Sequence, residues 1–290
     1  MNDPNVELGH RMIGDITVGD LQVPRLGFGA MRITGDGIWG DPPDPAAART
    51  LLRRVVELGV RFIDTADSYG PEVSERLIAE ALHPYPAGLL IATKSGIVRP
   101  DRASWVPDGR PEHLRAACEA SLRRLRLERI DLYQLHTVDA RVPFEESVGA
   151  LARLQQEGKI RHVGLSNVTA PQLESARRIV EVVSVQNRYN VVDRSSEEVL
   201  AACERDGLAF IPWSPLGQGE RDRGAPQRAA LESWARTRDL SVHQAALAWL
   251  LLKSPAMLPI PGTSKVPHLE SNLAAALAAR GLREELSRIA

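Results

Sequence analysis

Short apolar segments and amphipathic segments alternate along the chain from about residue 26 onwards. In residues 45–58 the apolar positions recur at intervals of three and four, which places them on one face of a helix. Short apolar runs bounded by turn residues precede such helices, as strands do. The pattern predicts eight strand–helix units: 26–29 with 45–58, 61–64 with 73–82, 89–93 with 111–125, 131–135 with 144–157, 160–165 with 170–180, 183–186 with 195–206, 208–212 with 241–253, and 257–260 with 266–279.

The eight units follow one another without a linker or a change in composition. This organisation favours an α/β fold of the (β/α)8 TIM barrel type over an open, doubly wound sheet. Two helix starts carry a capping-box pattern, Thr169 with Gln172 and Ser241 with Gln244. Their boundaries are therefore the best defined.

Three further segments complete the predicted organisation. Residues 12–23 alternate around two glycines, which predicts an N-terminal β-hairpin before the barrel. Residues 214–225, polar and glycine-bearing, are interpreted as a long functional loop rather than a second domain. We therefore expect a single domain over residues 1–290, with residues 1–10 as a flexible arm.

Composition narrows the classes of function. The net charge of −1 in 290 residues predicts no nucleic-acid partner and no anionic membrane partner. The longest apolar run, 245–252, is too short to span a bilayer, and Met1–Pro4 does not resemble an export signal, so a cytoplasmic location is expected. Cys118 and Cys203 form no CxxC motif and the seven histidines are scattered. We expect no bound metal.

Chemically capable residues occur where the predicted strands end. Asp64, Lys94 and His136 end or follow three strands, and Tyr69 stands beside Gly70 in the turn after Asp64. Because the C-terminal ends of barrel strands lie side by side, these side chains are predicted to converge as a proton-transfer site. Other strand-end residues are Met31, Ser166, Asn167, Gln186, Trp213, Gly262 and Thr263.

Each of these residues also has a structural interpretation. A buried Asp64 needs a cationic partner, and a salt bridge to Lys94 is compatible with a purely structural role. In the functional interpretation, the Lys94 ammonium also stabilises the Tyr69 phenolate and lowers its pKa from about 10, which makes Tyr69 a usable acid near neutral pH. His136 is either a satisfied core histidine or a donor to a substrate carbonyl oxygen. Its position beside Lys94 favours the donor role.

These four residues, with the segments Gly164–Asn167 and Pro259–Thr263, resemble the aldo-keto reductase family from about Gly9 onwards. The resemblance implies NADPH-dependent reduction of a small-molecule aldehyde or ketone. Tyr69 is then the proton donor, Lys94 and Asp64 tune it, and His136 aligns the carbonyl. The branch that the chain resembles most, partly through Ala103–Trp105, is that of bacterial pyridoxal reductase-like members (pyridoxine 4-dehydrogenases), which makes pyridoxal a candidate substrate.

The resemblance also implies how the nicotinamide is held. Ser166, Asn167 and Gln186 occupy positions that hydrogen-bond its carboxamide, and Trp213 occupies that of an aromatic residue stacked on the ring. Considered alone, Trp213 is equally compatible with a core tryptophan.

In the turn before the last helix, backbone amides, hydroxyls and one ammonium can gather on a phosphate. The resemblance implies that this group is the adenosine 2′-phosphate of the cofactor. Gly262 stands where many members have lysine, and His268 where many have arginine. NADP is still expected, with the positive charge on Lys265 and His268. The residues expected to bind NADP(H) are Ser166, Asn167, Gln186, Trp213, Ser214, Leu216, Gly262, Thr263, Ser264, Lys265, His268 and Asn272.

The segment Gly35–Gly40 matches the dinucleotide-binding fingerprint GxGxxG. The fingerprint requires a helix directly after it, and Pro42 and Pro43 prevent one. We interpret the segment as a flexible loop at the barrel mouth. The residues expected to line the substrate pocket are Met31, Trp39 and Trp105.

Two other functions fit the same residues. Lys94 is a possible nucleophile of a Schiff-base lyase or isomerase. A catalytically weak NADPH-binding regulatory module is the second alternative. Under every one of these functions we expect a monomer or a weak homo-oligomer.

Overall fold

The computed structural model describes residues 14–217 and 225–281. The predicted arm 1–10 and residues 218–224 of the predicted loop lie outside them. The described strands are β1 Asp15–Val18, β2 Leu21–Pro24, β3 Phe28–Gly29, β4 Phe62–Asp64, β5 Leu90–Ser95, β6 Ile97–Val98, β7 Val106–Pro107, β8 Ile130–Leu135, β9 Ile160–Ser166, β10 Val182–Gln186 and β11 Ala209–Phe210. The described helices are α1 Pro45–Glu57, α2 Val73–Leu82, α3 Pro111–Leu125, α4 Phe144–Gln156, α5 Ala170–Arg177, α6 Glu197–Asp206, α7 Pro226–Arg236, α8 Val242–Lys253 and α9 Val266–Gly281, and a 3₁₀ turn follows β3 at Ala30–Ile33.

Seven parallel strands form one curved sheet in the order β3-β4-β5-β8-β9-β10-β11. The segment after α8 closes it into a barrel. On one side, Phe210 donates to the carbonyl of Ala256 at 2.8 Å and accepts from Leu258 at 2.9 Å. On the other side, the Gly27 amide donates to the carbonyl of Pro259 at 2.9 Å. The predicted eighth strand thus lies between the first and the last strands, and the (β/α)8 fold is confirmed.

The helix α1 illustrates how the sequence builds the outer layer. Asp44 caps it by accepting a hydrogen bond from the Ala47 amide at 2.9 Å, and proline occupies the first turn, where no amide is needed. Its buried residues lie on one face and pack on the sheet, whereas a second cluster fills the barrel interior. Both predicted capping boxes, at Thr169 and Ser241, are present.

The predicted N-terminal hairpin is present as β1 and β2, with Gly19 in the left-handed region at φ +67°. Asp20 at its tip binds Arg161 at 2.5 Å and His162 at 2.6 Å, both near the start of β9. Its apolar side chains join the cluster inside the barrel. The hairpin therefore covers the end opposite to the strand C-termini.

Some elements differ from the prediction. Helix α7 was not predicted, because it lies outside the repeating pattern and buries only Leu231 and Ala235 fully. Helix α5 ends at Arg177 rather than 180. A small antiparallel pair, β6 and β7, lies in the loop after β5. Within 14–217 and 225–281, no helix combines the length and the apolar character needed to cross a bilayer.

Candidate active site

The structure brings Asp64, Tyr69, Lys94 and His136 together at the C-terminal end of the barrel. The Lys94 ammonium lies 2.6 Å from the Asp64 carboxylate and donates to the Tyr69 hydroxyl at 3.4 Å. Its third partner is the carbonyl oxygen of Thr65 at 2.7 Å. The rings of Tyr69 and His136 meet edge to face, with centroids 5.8 Å apart. The predicted convergence of the four side chains is therefore observed.

Strand register explains this convergence. Asp64 ends β4 opposite Ala92, two residues before Lys94 in β5, so both side chains point to the same side of the sheet. The amide of His136, directly after β8, donates to the carbonyl of Ser95 at 2.8 Å. Lys94 itself lies inside β5, whereas the sequence placed it just beyond the strand.

Tyr69 is turned back towards the barrel by the residue that follows it. Gly70 has φ +108°, and a Cβ there would lie 2.4 Å from the Val73 Cβ. Only glycine fits without movement of helix α2. As a result the Tyr69 side chain is buried beside Lys94 rather than exposed on the loop.

Electrostatics keep the Lys94 ammonium charged. Burial alone lowers the pKa of Lys94, but attraction by Asp64 and Tyr69 outweighs this effect and the net pKa is raised. Gln186 also binds the Asp64 carboxylate, since its amide nitrogen donates to the two oxygens at 2.9 and 3.2 Å. The buried pair therefore belongs to a larger hydrogen-bonded network.

The expected direction of the Tyr69 pKa was wrong. Burial raises the pKa of the Tyr69 phenol, and the opposing effect of Lys94 is too small to reverse this. Desolvation penalises the charged phenolate, and the sequence alone does not show that Tyr69 is buried. Tyr69 is therefore a protonated phenol at neutral pH.

His136 is a neutral imidazole at neutral pH, because burial, assisted by Lys94, lowers its pKa well below 6.5. Its Nδ1 lies 3.3 Å from the Ser68 hydroxyl oxygen. When that hydroxyl donates to Nδ1, the proton of the ring resides on Nε2. This tautomer makes Nε2 a hydrogen-bond donor.

The residues expected to hold the nicotinamide form a second hydrogen-bonded group at the same end. The Ser166 hydroxyl donates to the carbonyl of Gln186 at 2.8 Å. Asn167, in the left-handed region at φ +57°, donates to the carbonyl of His136 at 3.0 Å and accepts from the Trp213 indole at 3.0 Å. Gln186 was also expected to hydrogen-bond the nicotinamide carboxamide, but its amide nitrogen donates to the Asp64 carboxylate.

The predicted phosphate turn borders a pocket of about 330 Å³. Sequence reasoning missed Arg32, which lines this pocket. A Cβ at Gly262 would lie 2.6 Å from the Gly29 carbonyl oxygen, so a lysine at this position would require the backbone to move. Met31, which was expected in the substrate pocket, also lines this pocket. The lining residues are Met31, Arg32, Thr34, Gly35, Asp36, Gly37, Ile38, Gly262, Thr263 and Ser264.

The other predicted cofactor residues surround this region. Lys265 and His268 are exposed at the start of α9, whereas Asn272 is buried one turn later. Ser214 accepts through its carbonyl from the Asn190 side chain at 3.1 Å. Leu216 packs, partly buried, on the main core cluster.

Two tryptophans stand at the barrel mouth. The Trp105 ring lies 6.5 Å from that of Tyr69, nearly perpendicular to it. Trp39 forms a backbone bridge to Gly70, and Gly35 donates to the carbonyl of Gly40 at 2.9 Å. Residues 35–40 form a loop and start no helix, so the fingerprint match was correctly set aside.

A sequence profile of the Aldo/keto reductase family matches residues 25–289. The chain belongs to the aldo/keto reductase family. This membership confirms the oxidoreductase class expected from the sequence and the expected cofactor, since the family uses NADP(H).

Relatives agree with this assignment. The aldo/keto reductase described here is 52% identical over 263 residues to an uncharacterized oxidoreductase of Schizosaccharomyces pombe, a match covering 91% of this chain and 85% of the relative. It is 43% identical over 265 residues to the pyridoxine 4-dehydrogenase of Escherichia coli, with 89% and 91% covered.

Solved structures show the same fold. A Klebsiella pneumoniae aldo-keto reductase in complex with NADPH superposes with a TM-score of 0.77 at 27% identity, and the match covers 95% of this chain and 94% of the other. The glycerol dehydrogenase of Gluconobacter oxydans gives a TM-score of 0.79 at 26% identity, with 94% of both chains covered.

Proposed function

We propose that this aldo/keto reductase reduces an aldehyde or ketone to the alcohol, with NADPH as the hydride source. The observation that carries the proposal is the position of the Lys94 ammonium, which binds both the buried Asp64 carboxylate and the Tyr69 hydroxyl. This arrangement offers a phenolic proton beside a fixed positive charge at the barrel mouth. Bound NADPH supplies a hydride from nicotinamide C4 to the carbonyl carbon.

Tyr69 provides the proton. Its raised pKa is compatible with this role, because an alkoxide is a stronger base than a phenolate and takes the proton from a neutral phenol. Lys94 then stabilises the phenolate left behind, and Asp64 holds Lys94 in place. His136, neutral and close to Tyr69, aligns the carbonyl oxygen by donating from Nε2.

Ser166, Asn167 and Trp213 support nicotinamide binding, since they form one hydrogen-bonded group beside His136. The Gln186 side chain contributes through the network around Asp64. At the other end of the cofactor, Thr263, Ser264 and the first turn of α9 offer hydroxyls and amides to the 2′-phosphate. The further residues proposed there are Ser214, Leu216, Gly262, Lys265, His268 and Asn272.

Arg32 supplies charge to the phosphate pocket that Gly262 cannot supply. Its guanidinium has no ion-pair partner within the described part of the chain, and it lines the same pocket as Thr263 and Ser264. A hydrogen bond to a charged group contributes about 1.5–3 kcal/mol. Arg32→Ser should therefore raise the dissociation constant of NADPH about tenfold or more and leave that of NADH unchanged, as measured by cofactor fluorescence.

Arg53→Ser is the matched control, because Arg53 is an exposed arginine of α1 outside the pocket. It should change neither constant. An equal loss of NADPH and NADH affinity in Arg32→Ser would contradict a contact specific to the 2′-phosphate.

A Schiff-base mechanism is disfavoured by the state of Lys94. A nucleophilic lysine needs a depressed pKa, whereas that of Lys94 is raised by Asp64 despite burial. The ammonium also donates to three oxygen atoms, and a nitrogen in this state has no lone pair with which to attack a carbonyl carbon.

Pyridoxal is our candidate substrate, supported by the 43% identity to a pyridoxine 4-dehydrogenase over 89% of the chain. The test follows NADPH oxidation with pyridoxal, unsubstituted benzaldehyde and a ketosteroid. We expect turnover of both aldehydes, with the highest kcat/KM for pyridoxal. Tight NADPH binding without turnover of any carbonyl would instead support the regulatory-module alternative.

A further inference from the structure

Arg99 occupies an unusual position in the loop after β5. Its guanidinium carbon lies 3.8 Å from the centroid of the Trp105 ring and 5.4 Å from that of Trp39. The side chain is only 8% exposed, although it belongs to the mouth of the barrel. One buried cation thus supports both tryptophans that flank the proposed active site.

Within residues 14–217 and 225–281, no salt bridge neutralises the charge of Arg99. No carboxylate of the described chain lies within 4.0 Å of it, and its terminal nitrogens donate to the backbone carbonyls of Gly37, Ile38 and Arg102 at 3.4, 3.2 and 2.6 Å. Its buried Nε has no hydrogen-bond partner among the residues that the structure describes. The carboxylate that acts on the pKa of Arg99 is that of Asp101, and it accepts hydrogen bonds from the amides of Ala103 and Ser104.

This arrangement is costly unless something compensates for it. Burial lowers the pKa of Arg99, and Asp101 only partly opposes that effect. A buried charge normally has an ionic partner, since desolvation is expensive. The aromatic faces of Trp39 and Trp105 and three carbonyl dipoles give partial compensation.

The charge lies close to the proposed chemistry. Trp105 contacts Tyr69 with ring centroids 6.5 Å apart, and Arg99 lies on Trp105, so the guanidinium is within about 10 Å of the Tyr69 ring. A planar substrate presenting its carbonyl to Tyr69 would extend along the two indoles towards this cation. An anionic group on that far end would lie closer to the guanidinium than the Tyr69 ring does. Even at about 10 Å, with an effective dielectric constant near 20, one charge changes the affinity for an anion by about tenfold.

We propose that Arg99, held between Trp39 and Trp105, selects aromatic aldehydes that carry an anionic group on the ring. The inference rests on the reductase function proposed above and adds the charge of its substrates. The alternative is that Arg99 only braces the loop 35–40 against the loop 97–107. The two roles differ in what they predict for neutral substrates.

The test compares 4-carboxybenzaldehyde with its neutral amide, 4-formylbenzamide, which has nearly the same shape. The readout is the ratio of the two kcat/KM values, for the wild type, Arg99→Gln and Arg99→Lys. In Arg99→Gln we expect the ratio to fall about tenfold, because the KM for the carboxylate rises far more than the KM for the amide. Arg99→Lys loses the planar stack on Trp105 but keeps the positive charge, so it should keep most of the ratio.

Each other outcome overturns the inference. An unchanged ratio in Arg99→Gln would mean that the charge is not sensed, and an equal loss for both substrates would mean that Arg99 only braces the loops. Loss of the ratio in Arg99→Lys as well as in Arg99→Gln, with the amide also impaired, would again indicate bracing. A wild type that binds NADPH but reduces neither these aldehydes nor pyridoxal would overturn the reductase function itself.

Discussion

Replacing Tyr69 with phenylalanine should lower kcat for aldehyde reduction by about three orders of magnitude, within the range of about 10²–10⁴ that general acid catalysis contributes. The ring remains, so its edge contacts with His136 and Trp105 are kept and only the hydroxyl that contacts Lys94 is lost. NADPH affinity should be unchanged, because none of the proposed cofactor contacts involves this hydroxyl. Steady-state kinetics and a cofactor titration on the same preparation measure both quantities.

Tyr85→Phe is the matched control. Its hydroxyl donates to the Leu125 carbonyl at 2.7 Å, away from the barrel mouth, and its loss should leave kcat unaffected. Turnover of Tyr69→Phe close to the wild-type rate would remove Tyr69 from its proposed role.

In the wild type, the rate of reduction should be flat between pH 7 and 9. Burial raises the pKa of Tyr69 and lowers that of His136, so neither group titrates in this interval.

The location of the site could be predicted because it depends on strand order and on little else. Once Asp64, Lys94 and His136 are placed at strand ends, a parallel barrel brings them together whatever the loops do. The capping boxes at Thr169 and Ser241 could also be predicted, because the two partners of each box lie within four residues of one another in the sequence.

What sequence reasoning missed depends on contacts between distant segments. Gln186 binds Asp64 across 122 positions, and no local pattern reveals this hydrogen bond. Arg32 lies beside the turn at Gly262 because β3 meets the strand that closes the barrel. There the two backbones approach so closely that a Cβ at position 262 would contact the Gly29 carbonyl oxygen. The Tyr69 pKa shift was predicted in the wrong direction for a related reason. The shift is a balance between burial and the charge of Lys94, and a sequence shows only the charge.

Lys94→Met should have the largest effect on stability and should also abolish most turnover. The change leaves the Asp64 carboxylate buried with the Gln186 amide as its only partner among the described residues, and breaking a buried pair in this way costs about 3–5 kcal/mol. Turnover falls because the charge that stabilises the Tyr69 phenolate is lost. Urea unfolding measures the first effect, and kcat at pH 7 measures the second.

The double variant Asp64→Asn with Lys94→Met separates the two roles of the pair. It removes the unpaired charge as well as its partner, and replacing both members of a buried pair is often nearly neutral. We therefore expect the free energy of unfolding to return most of the way to the wild-type value while kcat stays as low as in Lys94→Met. Recovery of both quantities would mean that the pair only supports the fold, since catalysis by Tyr69 would then need no neighbouring ammonium.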